Sequence, residues 1–187
     1  VLLLAGCSGG STGTSTTTFN DTTVTGALAA HSGTMNVSGD LTNDGTFTHN
    51  AGTIGFTGTT TVFGASTTSF NNVTVSGALT AHATAMEVAG NWANNGTFTH
   101  NGGQITFKGS TDVSGSLTTF NDITIDPGKS FSAHSTRTDV NGDFTNNGIF
   151  LHNNGQLGFV GSTTIAGSAT TTFNDLVMPG DVTGHAT

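Results

Sequence analysis

Residues 39–56, GDLTNDGTFTHNAGTIGF, decide the fold, because their pattern returns later in the chain. Residues 90–107 read GNWANNGTFTHNGGQITF, and residues 142–159 read GDFTNNGIFLHNNGQLGF, a looser copy. Self-similarity at a fixed period of 20 to 50 residues or slightly more indicates a repeat architecture. Working outward from these copies gives three full units of about 51 residues and part of a fourth, at 19–69, 70–119, 120–172 and 173–187.

Within each unit, apolar residues alternate with Thr, Ser or Asn, and a glycine follows each alternating stretch. Met35 and Val37 precede Gly39 in this way, and Ile54 and Phe56 precede Gly58. Alternation with a period of two indicates β-strands that bury one face. Asn-Asn-Gly and Asn-Asp-Gly turns separate the strands,. No stretch shows helical periodicity, so the sequence predicts an all-β protein.

The alternating motif occurs three times per unit, which assigns about 17 residues to each coil,. The sequence therefore predicts a parallel β-helix (β-solenoid) over residues 16–187, with about ten coils and a 51-residue repeat of three coils,. Stacked at about 4.8 Å, these coils would form a rod roughly 50 Å long. The glycines that end the strands, at positions 26, 39, 58 and 77, show one short step and then two long ones. The short step predicts either a short coil or a hairpin through residues 29–33.

Composition excludes several classes of function. The 187 residues include three Lys or Arg against eleven Asp or Glu, for a formal charge of −8, and only 7% of residues are charged. So few cations cannot hold nucleic acid through its phosphates or dock on anionic lipid by charge. The one cysteine excludes a disulfide scaffold,.

The first residues look like a processing signal. Leu4-Ala5-Gly6-Cys7 follows a short apolar run and resembles the bacterial lipobox, in which the cysteine is diacylated. The resemblance implies lipid attachment at Cys7, with residues 1–7 as a signal-peptide remnant and residues 8–15 as a flexible Gly/Ser/Thr tether. The alternative is that residues 1–4 form a capping strand and that Cys7 is a buried free thiol.

All seven histidines belong to one series with phenylalanine, in the order Phe-His-His. If the coils stack in register, these rings form one structural ladder at a single corner, where Phe and His would be interchangeable. Asn follows most of these rings and predicts a partial Asn ladder. The ring series is Phe19, His31, His49, Phe70, His82, His100, Phe120, His134, His152, Phe173 and His185.

Paired imidazoles are also good ligands for Zn or Cu. No Cys and no carboxylate recurs beside each pair, whereas a closed zinc site needs four ligands,. Residues 40–45 superficially resemble a Ca²⁺ loop but lack its spacing, so a turn is expected there. The sequence therefore predicts no metal site and no cofactor.

Carboxylates grouped on one face of a solenoid could serve acid–base catalysis. The densest group is Asp122, Asp126, Asp139 and Asp143, but several of these positions are turn residues that appear elsewhere as Asn. No unit departs from its sisters as a catalytic unit would. We expect no catalytic residues and assign Trp92 to the core.

The pattern at residues 39–56 and 90–107 resembles repeats of large bacterial surface and secreted proteins, in particular the right-handed β-helix stalks of filamentous-haemagglutinin-type adhesins. The resemblance covers about residues 16–187 and implies an extracellular stalk, fibre or adhesive surface.

We expect a non-catalytic structural or adhesive rod at the cell surface or outside the cell, reaching the membrane only through its lipid anchor. End-to-end pairing into fibres and a surface glycan or host ligand are the expected partners, with no nucleic acid. A glycan- or ice-binding module that uses Thr rows is the alternative, and a solenoid polysaccharide hydrolase is a remote one.

Overall fold

The structure is a computed structural model and describes residues 15–184. This range contains 26 short strands and no helix. The strands are β1 (Thr16–Phe19), β2 (Thr22–Val24), β3 (Ala27–Ala29), β4 (Thr34–Val37), β5 (Leu41–Asn43), β6 (Thr46–Thr48), β7 (Thr53–Phe56), β8 (Thr59–Phe63), β9 (Thr68–Phe70), β10 (Asn72–Val75), β11 (Ala78–Thr80), β12 (Ala85–Val88), β13 (Trp92–Asn94), β14 (Thr97–Thr99), β15 (Gln104–Phe107), β16 (Ser110–Gly115), β17 (Thr118–Phe120), β18 (Asp122–Ile125), β19 (Ser130–Ser132), β20 (Arg137–Val140), β21 (Phe144–Asn146), β22 (Ile149–Leu151), β23 (Gln156–Phe159), β24 (Thr163–Ala166), β25 (Asp175–Val177) and β26 (Val182–Gly184).

Nearly every strand pairs in parallel with the strand three places later; the ladder is interrupted between β6 and β9 and between β14 and β17, and in the last two pairs the step is two. Three strands therefore make one turn, and the molecule is a three-sided solenoid. Face 1 holds every third strand from β1 to β22. Face 2 holds every third strand from β2 to β23, followed by β25. Face 3 holds every third strand from β3 to β24, followed by β26. The predicted all-β parallel β-solenoid is confirmed, and its architecture is that of β-helix repeat proteins.

One turn of the solenoid is longer than the sequence predicted. Most register partners lie nineteen positions apart in the chain, as Thr53 and Asn72 do. The separation ranges from eighteen positions, for Thr16 and Thr34, to twenty-one, for Trp92 and Val113. Residues 15–184 therefore make about nine turns instead of ten. At about 4.8 Å per turn the described rod is roughly 43 Å long.

A 51-residue unit is consequently not three coils. It contains eight strands, from β2 to β10 and from β10 to β18, which is two and two-thirds turns. Equivalent strands of successive units fall on faces 2, 1 and 3 in that order. Each unit is therefore rotated by one third of a turn relative to the unit before it.

This rotation explains the short step between glycines, for which both predicted explanations are wrong. The long step separates glycines that lie one full turn apart, such as Gly39 and Gly58. The short step from Gly26 to Gly39 spans two strands, β3 and β4, or two thirds of a turn. Residues 29–33 form the corner between those strands, and all strand pairings in the described range are parallel, so there is no hairpin.

The core is a continuous apolar column formed by the inward side chains of all three faces. Trp92 is fully buried, as predicted, and its ring packs edge-on against Phe98 and Phe120 with centroids 4.8 and 5.4 Å away. Such T-shaped contacts continue through Phe107 and Phe144. The stacking of turns thus buries a face that no single turn could bury alone.

One strand in each unit is displaced along its face. In β8, residues 59–61 pair upward with β11 while residues 62–63 pair downward with β5. Strands β16 and β24 are staggered in the same way. After β8 the chain turns at Gly64, where φ is +119° and a Cβ would collide with the Asn43 carbonyl oxygen. Only glycine fits this position.

Several predicted features lie outside the described residues. They are the signal remnant at residues 1–7, the proposed lipid-attachment residue Cys7, the tether up to residue 14, and His185. Within residues 15–184, no helix is long and apolar enough to cross a membrane.

Candidate functional site

The structure distributes the predicted ring ladder over three corners instead of one. His31 and His49 lie between face 3 and face 1, at corner 3–1. One unit later, His82 and His100 lie at corner 2–3, and the next pair lies at corner 1–2. The single column fails because each unit is rotated by one third of a turn. What survives is a pair of histidines in successive turns at each corner. The third pair is His134 and His152.

Every described histidine makes the same local hydrogen bond. Its Nδ1 accepts the main-chain N–H of the residue two positions later, as in Gly33 N to His31 Nδ1 at 3.0 Å. The other five bonds measure 3.0 or 3.1 Å. Side-chain acceptors two residues before a donor are typical of tight turns made by Asn or Asp. These histidines therefore shape the corners.

Two of the corners are reinforced by a threonine. The Thr84 Oγ1 lies 2.8 Å from His82 Nδ1, and Thr136 Oγ1 lies 2.7 Å from His134 Nδ1. His82 Nε2 also lies 2.8 Å from the carbonyl oxygen of Gly64, so this ring ties its corner to the turn after β8.

The phenylalanines of the series have a different role. Phe70 and Phe120 are fully buried and point into the core, where they make edge-on contacts with Phe56 and Phe107 at 5.8 Å. The histidines at the corners are only partly buried. The predicted interchange of Phe and His therefore has no basis in the packing.

The predicted Asn ladder takes the form of bonds between turns. Asn50, Asn101 and Asn153 each donate through Nδ2 to a main-chain carbonyl one turn below, at 2.7, 3.1 and 3.3 Å. Their φ angles lie between +46° and +52°. Asn tolerates this left-handed conformation better than most residues. The amides bond mainly to the backbone instead of to one another, and they tie each turn to the one below.

A second set of asparagines was missed as a site because the sequence read only as a turn. Asn43, Asn94 and Asn146 are fully buried or nearly so. Each accepts the N–H of a Gly two residues later and donates to a Thr hydroxyl 24 or 25 residues later. The available signal was the recurrence of Asn-x-Gly with a Thr at that fixed distance.

The histidine geometry opposes metal binding. A metal-bound imidazole normally donates its other N–H to an acceptor. Here Nδ1 instead accepts a main-chain N–H at each described histidine, so it does not make the donor contact typical of a metal-bound ring. Within residues 15–184 there is also no group of three or more His, Cys, Asp or Glu side chains that could hold an ion.

The four aspartates weighed for catalysis do not form one cluster. Asp122 and Asp143 each accept a main-chain N–H from the turn above, at 2.7 and 2.8 Å. Asp139 lies on face 2 and pairs with Arg137 at 2.6 Å. Asp126 lies at corner 3–1, after β18. Three of these four carboxylates are thus occupied by the backbone or by an ion pair.

The turn at residues 40–45 uses its carboxylates in the same structural way. Asp40 Oδ1 accepts the N–H of Thr61, and Asp44 Oδ1 accepts that of Ala65, both at 2.9 Å and both one turn above. These bonds link successive coils of the solenoid, as expected if residues 40–45 form a chain turn and not a Ca²⁺-binding loop.

A second ion pair lies on face 3. Lys108 Nζ lies 2.6 Å from Glu87 Oε1. The hydrogen bond that Lys108 donates to Glu87 raises the pKa of Lys108; burial opposes the increase, and the negative charges of Glu87 and Asp126 add to it.

The rotation of the units places threonines together on face 2. Strands β8, β11 and β14 are register neighbours there, so that Thr61, Thr80 and Thr99 lie in one row across the face. Thr59 and Thr97 flank this row on the same side of the sheet, with Ala78 between them. The equivalent strand of the third unit, β22 on face 1, instead exposes Ile149 and Leu151 by 53% and 47%.

No protein-family model matches the chain, and searches of curated proteins and of solved structures gave no significant match.

Proposed function

We propose that this chain is a non-catalytic structural or adhesive rod of the cell surface. The observation that supports it is the equivalence of the units. Each unit repeats the buried Asn, the histidine turn and the inter-turn bonds. The polar groups of these residues form hydrogen bonds that hold the turns together. Identical units serve length and stiffness, whereas catalysis would need one unit to differ at a site.

The proposed anchor is a lipid on Cys7. The lipobox-like sequence at residues 4–7 supports this placement, and surface exposure follows from it. Cells fed a palmitate analogue should label the protein, and Cys7→Ser should abolish the label. A Cys7→Ser variant that keeps the label would exclude the lipoprotein part of the proposal.

The proposed partner is another copy, joined end to end. The strands of a solenoid's end turn present unpaired N–H and C=O groups that can template another strand row. Such a contact does not close on itself and builds a filament. Electron microscopy and light scattering should therefore show fibres or large oligomers. A monomer over a wide range of concentration would contradict the fibre-forming role.

A second candidate function, recognition of a glycan or of ice, gains support from face 2. Five threonines lie in register on three neighbouring strands there, which gives an uncharged patch of hydroxyl and methyl groups. Thr80 lies at its centre, so Thr80→Lys should abolish binding on a glycan array or activity in an ice-recrystallisation assay. Thr124→Lys, on face 3, is the matched control. Wild-type protein inactive in both assays would exclude this candidate.

A further inference from the structure

The corner that follows β13 holds its exposed side chain less firmly than its counterparts in the other units do. In the first unit, Asp44 Oδ1 accepts the N–H of Ala65 at 2.9 Å. In the third unit, Asn147 Oδ1 accepts the N–H and the hydroxyl of Ser168 at 3.0 and 3.2 Å. Asn95 occupies this place in the second unit, where its side chain is exposed and forms no hydrogen bond within the described part of the chain.

The cause is the loop above this corner, which has one residue fewer in the second unit. The loop reads Gly-Ala-Ser-Thr at residues 64–67 and Gly-Ser-Ala-Thr at residues 167–170, but Gly-Ser-Leu at residues 115–117. Ser116 donates its N–H to the Asn94 carbonyl oxygen, as the third loop residue does in the other units. The residue left out is therefore the second one, whose N–H binds the corner side chain in the other two units.

We propose that Asn95 is a site of self-modification, at which the main chain converts the side-chain amide to a carboxylate. The next residue is Gly96, which has no Cβ to hinder the approach of its nitrogen to Asn95 Cγ. That nitrogen loses its proton to water and forms a bond to Cγ. The bond from Cγ to the amide nitrogen breaks, and the amide nitrogen takes up a proton and leaves as ammonia. Water then opens the five-membered imide at either carbonyl, which gives aspartate or isoaspartate.

The side chain of Asn95 is free to turn toward the next nitrogen, whereas three other Asn-Gly sites are held. The chain contains five Asn-Gly pairs. Asn101 donates through Nδ2 to the Ala81 carbonyl oxygen at 3.1 Å, and Asn141 donates to Asn121 Oδ1 at 3.3 Å. Asn147 is held by the loop above it. Ring closure needs the reacting atoms close together and aligned, so each of these contacts must break first.

The nitrogen that attacks is also held least firmly at this site. The Gly96 N–H reaches Asn94 Oδ1 at 3.3 Å, which is longer than the usual range for such a bond,. The nitrogens that follow the other four asparagines donate at 2.8 to 3.1 Å. The shortest of these bonds joins Gly155, which is buried, to the His152 carbonyl oxygen. Asn154 therefore has an unheld side chain but a firmly bonded nucleophile.

The product changes the edge of face 2. Asn95 lies at corner 1–2, two residues before Thr97 in the threonine patch. Aspartate at this position adds a negative charge beside an uncharged surface. Isoaspartate also adds a methylene to the main chain between β13 and β14.

The test is peptide mapping by mass spectrometry after prolonged incubation of the purified protein at neutral pH. Asn95, Asn147 and Asn154 all stand in Asn-Asn-Gly, so their local sequences match. In the urea-unfolded chain the three should react at similar rates. In the folded protein Asn95 should react about tenfold faster than Asn147, the factor expected when one net hydrogen bond must break first. Equal rates in the folded protein, or a faster reaction at Asn147 or Asn154, would overturn the proposal.

A pair of loop variants tests the cause. Replacing residues 115–117 by Gly-Ala-Ser-Thr restores the missing residue, and its N–H should slow Asn95 to the rate of Asn147. Replacing residues 167–170 by Gly-Ser-Leu should speed the reaction at Asn147. Unchanged rates in the folded variants would contradict the role of the loop. The comparison within the wild-type protein needs no variant and decides the site even where a loop variant does not fold.

Discussion

At the scale of single residues, the corner histidines act through hydrogen bonds and not through stacking. His82 shows this most fully, because its Nδ1 accepts from Thr84 twice and its Nε2 contacts Gly64. His82→Phe keeps an aromatic ring but loses all three contacts, so it should cost about 1–2 kcal/mol at pH 8. His82→Asn keeps the acceptor and should cost clearly less. Urea unfolding measures both, and a neutral His82→Phe would restore the stacking hypothesis.

A second prediction at this scale concerns backbone strain. Ala51 has φ of +59°, and its counterpart in the next unit is Gly102. A left-handed conformation is about 1–2 kcal/mol less favourable for a residue with a Cβ than for glycine. Glycine loses more backbone entropy on folding, and this loss offsets part of that difference. Ala51→Gly should therefore stabilise the protein by about 0.5 kcal/mol. Thermal unfolding tests this against Ala83→Gly, an exposed corner alanine without positive φ, which should not stabilise.

The residue types on the core side were predictable, whereas the roles of the polar residues were not. Alternation shows which side chains point inward, so Trp92 and Phe144 could be assigned to the core. The histidines and Asn94 look alike in sequence, as polar residues at turns. Their roles depend on which turn lies above or below them, and that requires the length of one coil.

At the scale of elements, each buried asparagine binds the segment that follows the staggered strand of its unit. Asn94, at the end of β13, donates to Thr118 Oγ1 at 3.2 Å and accepts from Gly96 N at 3.3 Å. Asn94→Ala removes these two bonds and a third, to the Leu117 carbonyl oxygen, and leaves a cavity in a fully buried site, so we expect a loss of about 2 kcal/mol or more,. Asn95→Ala, at the exposed neighbour, should change stability by less than about 0.5 kcal/mol. Equal effects of the two substitutions in urea unfolding would contradict this role.

The strands themselves followed from period-two alternation, and so did their parallel stacking. The coil length did not, because the glycine series mixes two kinds of step. The long steps mark full turns, and the short step marks two thirds of a turn. Averaging the two gave a length that describes no turn of this molecule. A count of eight strands per repeat would have shown the rotation.

At the scale of the whole molecule, a unit can be removed without breaking the pattern. Deletion of residues 70–119 joins Ser69 to Phe120, a junction equivalent to Thr119–Phe120. The variant should fold and be shorter by two and two-thirds turns, or about 13 Å at about 4.8 Å per turn. Small-angle X-ray scattering measures the change. Deletion of residues 70–86, one coil of the averaged length, joins Ser69 to Glu87, which is its own register partner; the inward–outward alternation then shifts by one residue, so this variant should not fold,.

The rotation of each unit by one third of a turn is the central claim, and spin-label distances test it most directly. In a Cys7→Ser background, labels at Ser32 and Ala51 occupy one corner in adjacent turns and should couple strongly, at roughly one turn spacing. Labels at Ala51 and Ala83 lie at corners 3–1 and 2–3, so we predict a clearly longer distance, beyond about 15 Å. A single column of rings would instead hold them two turns apart, at about 10 Å. The shorter of these two distances for Ala51 and Ala83 would contradict the three-cornered arrangement.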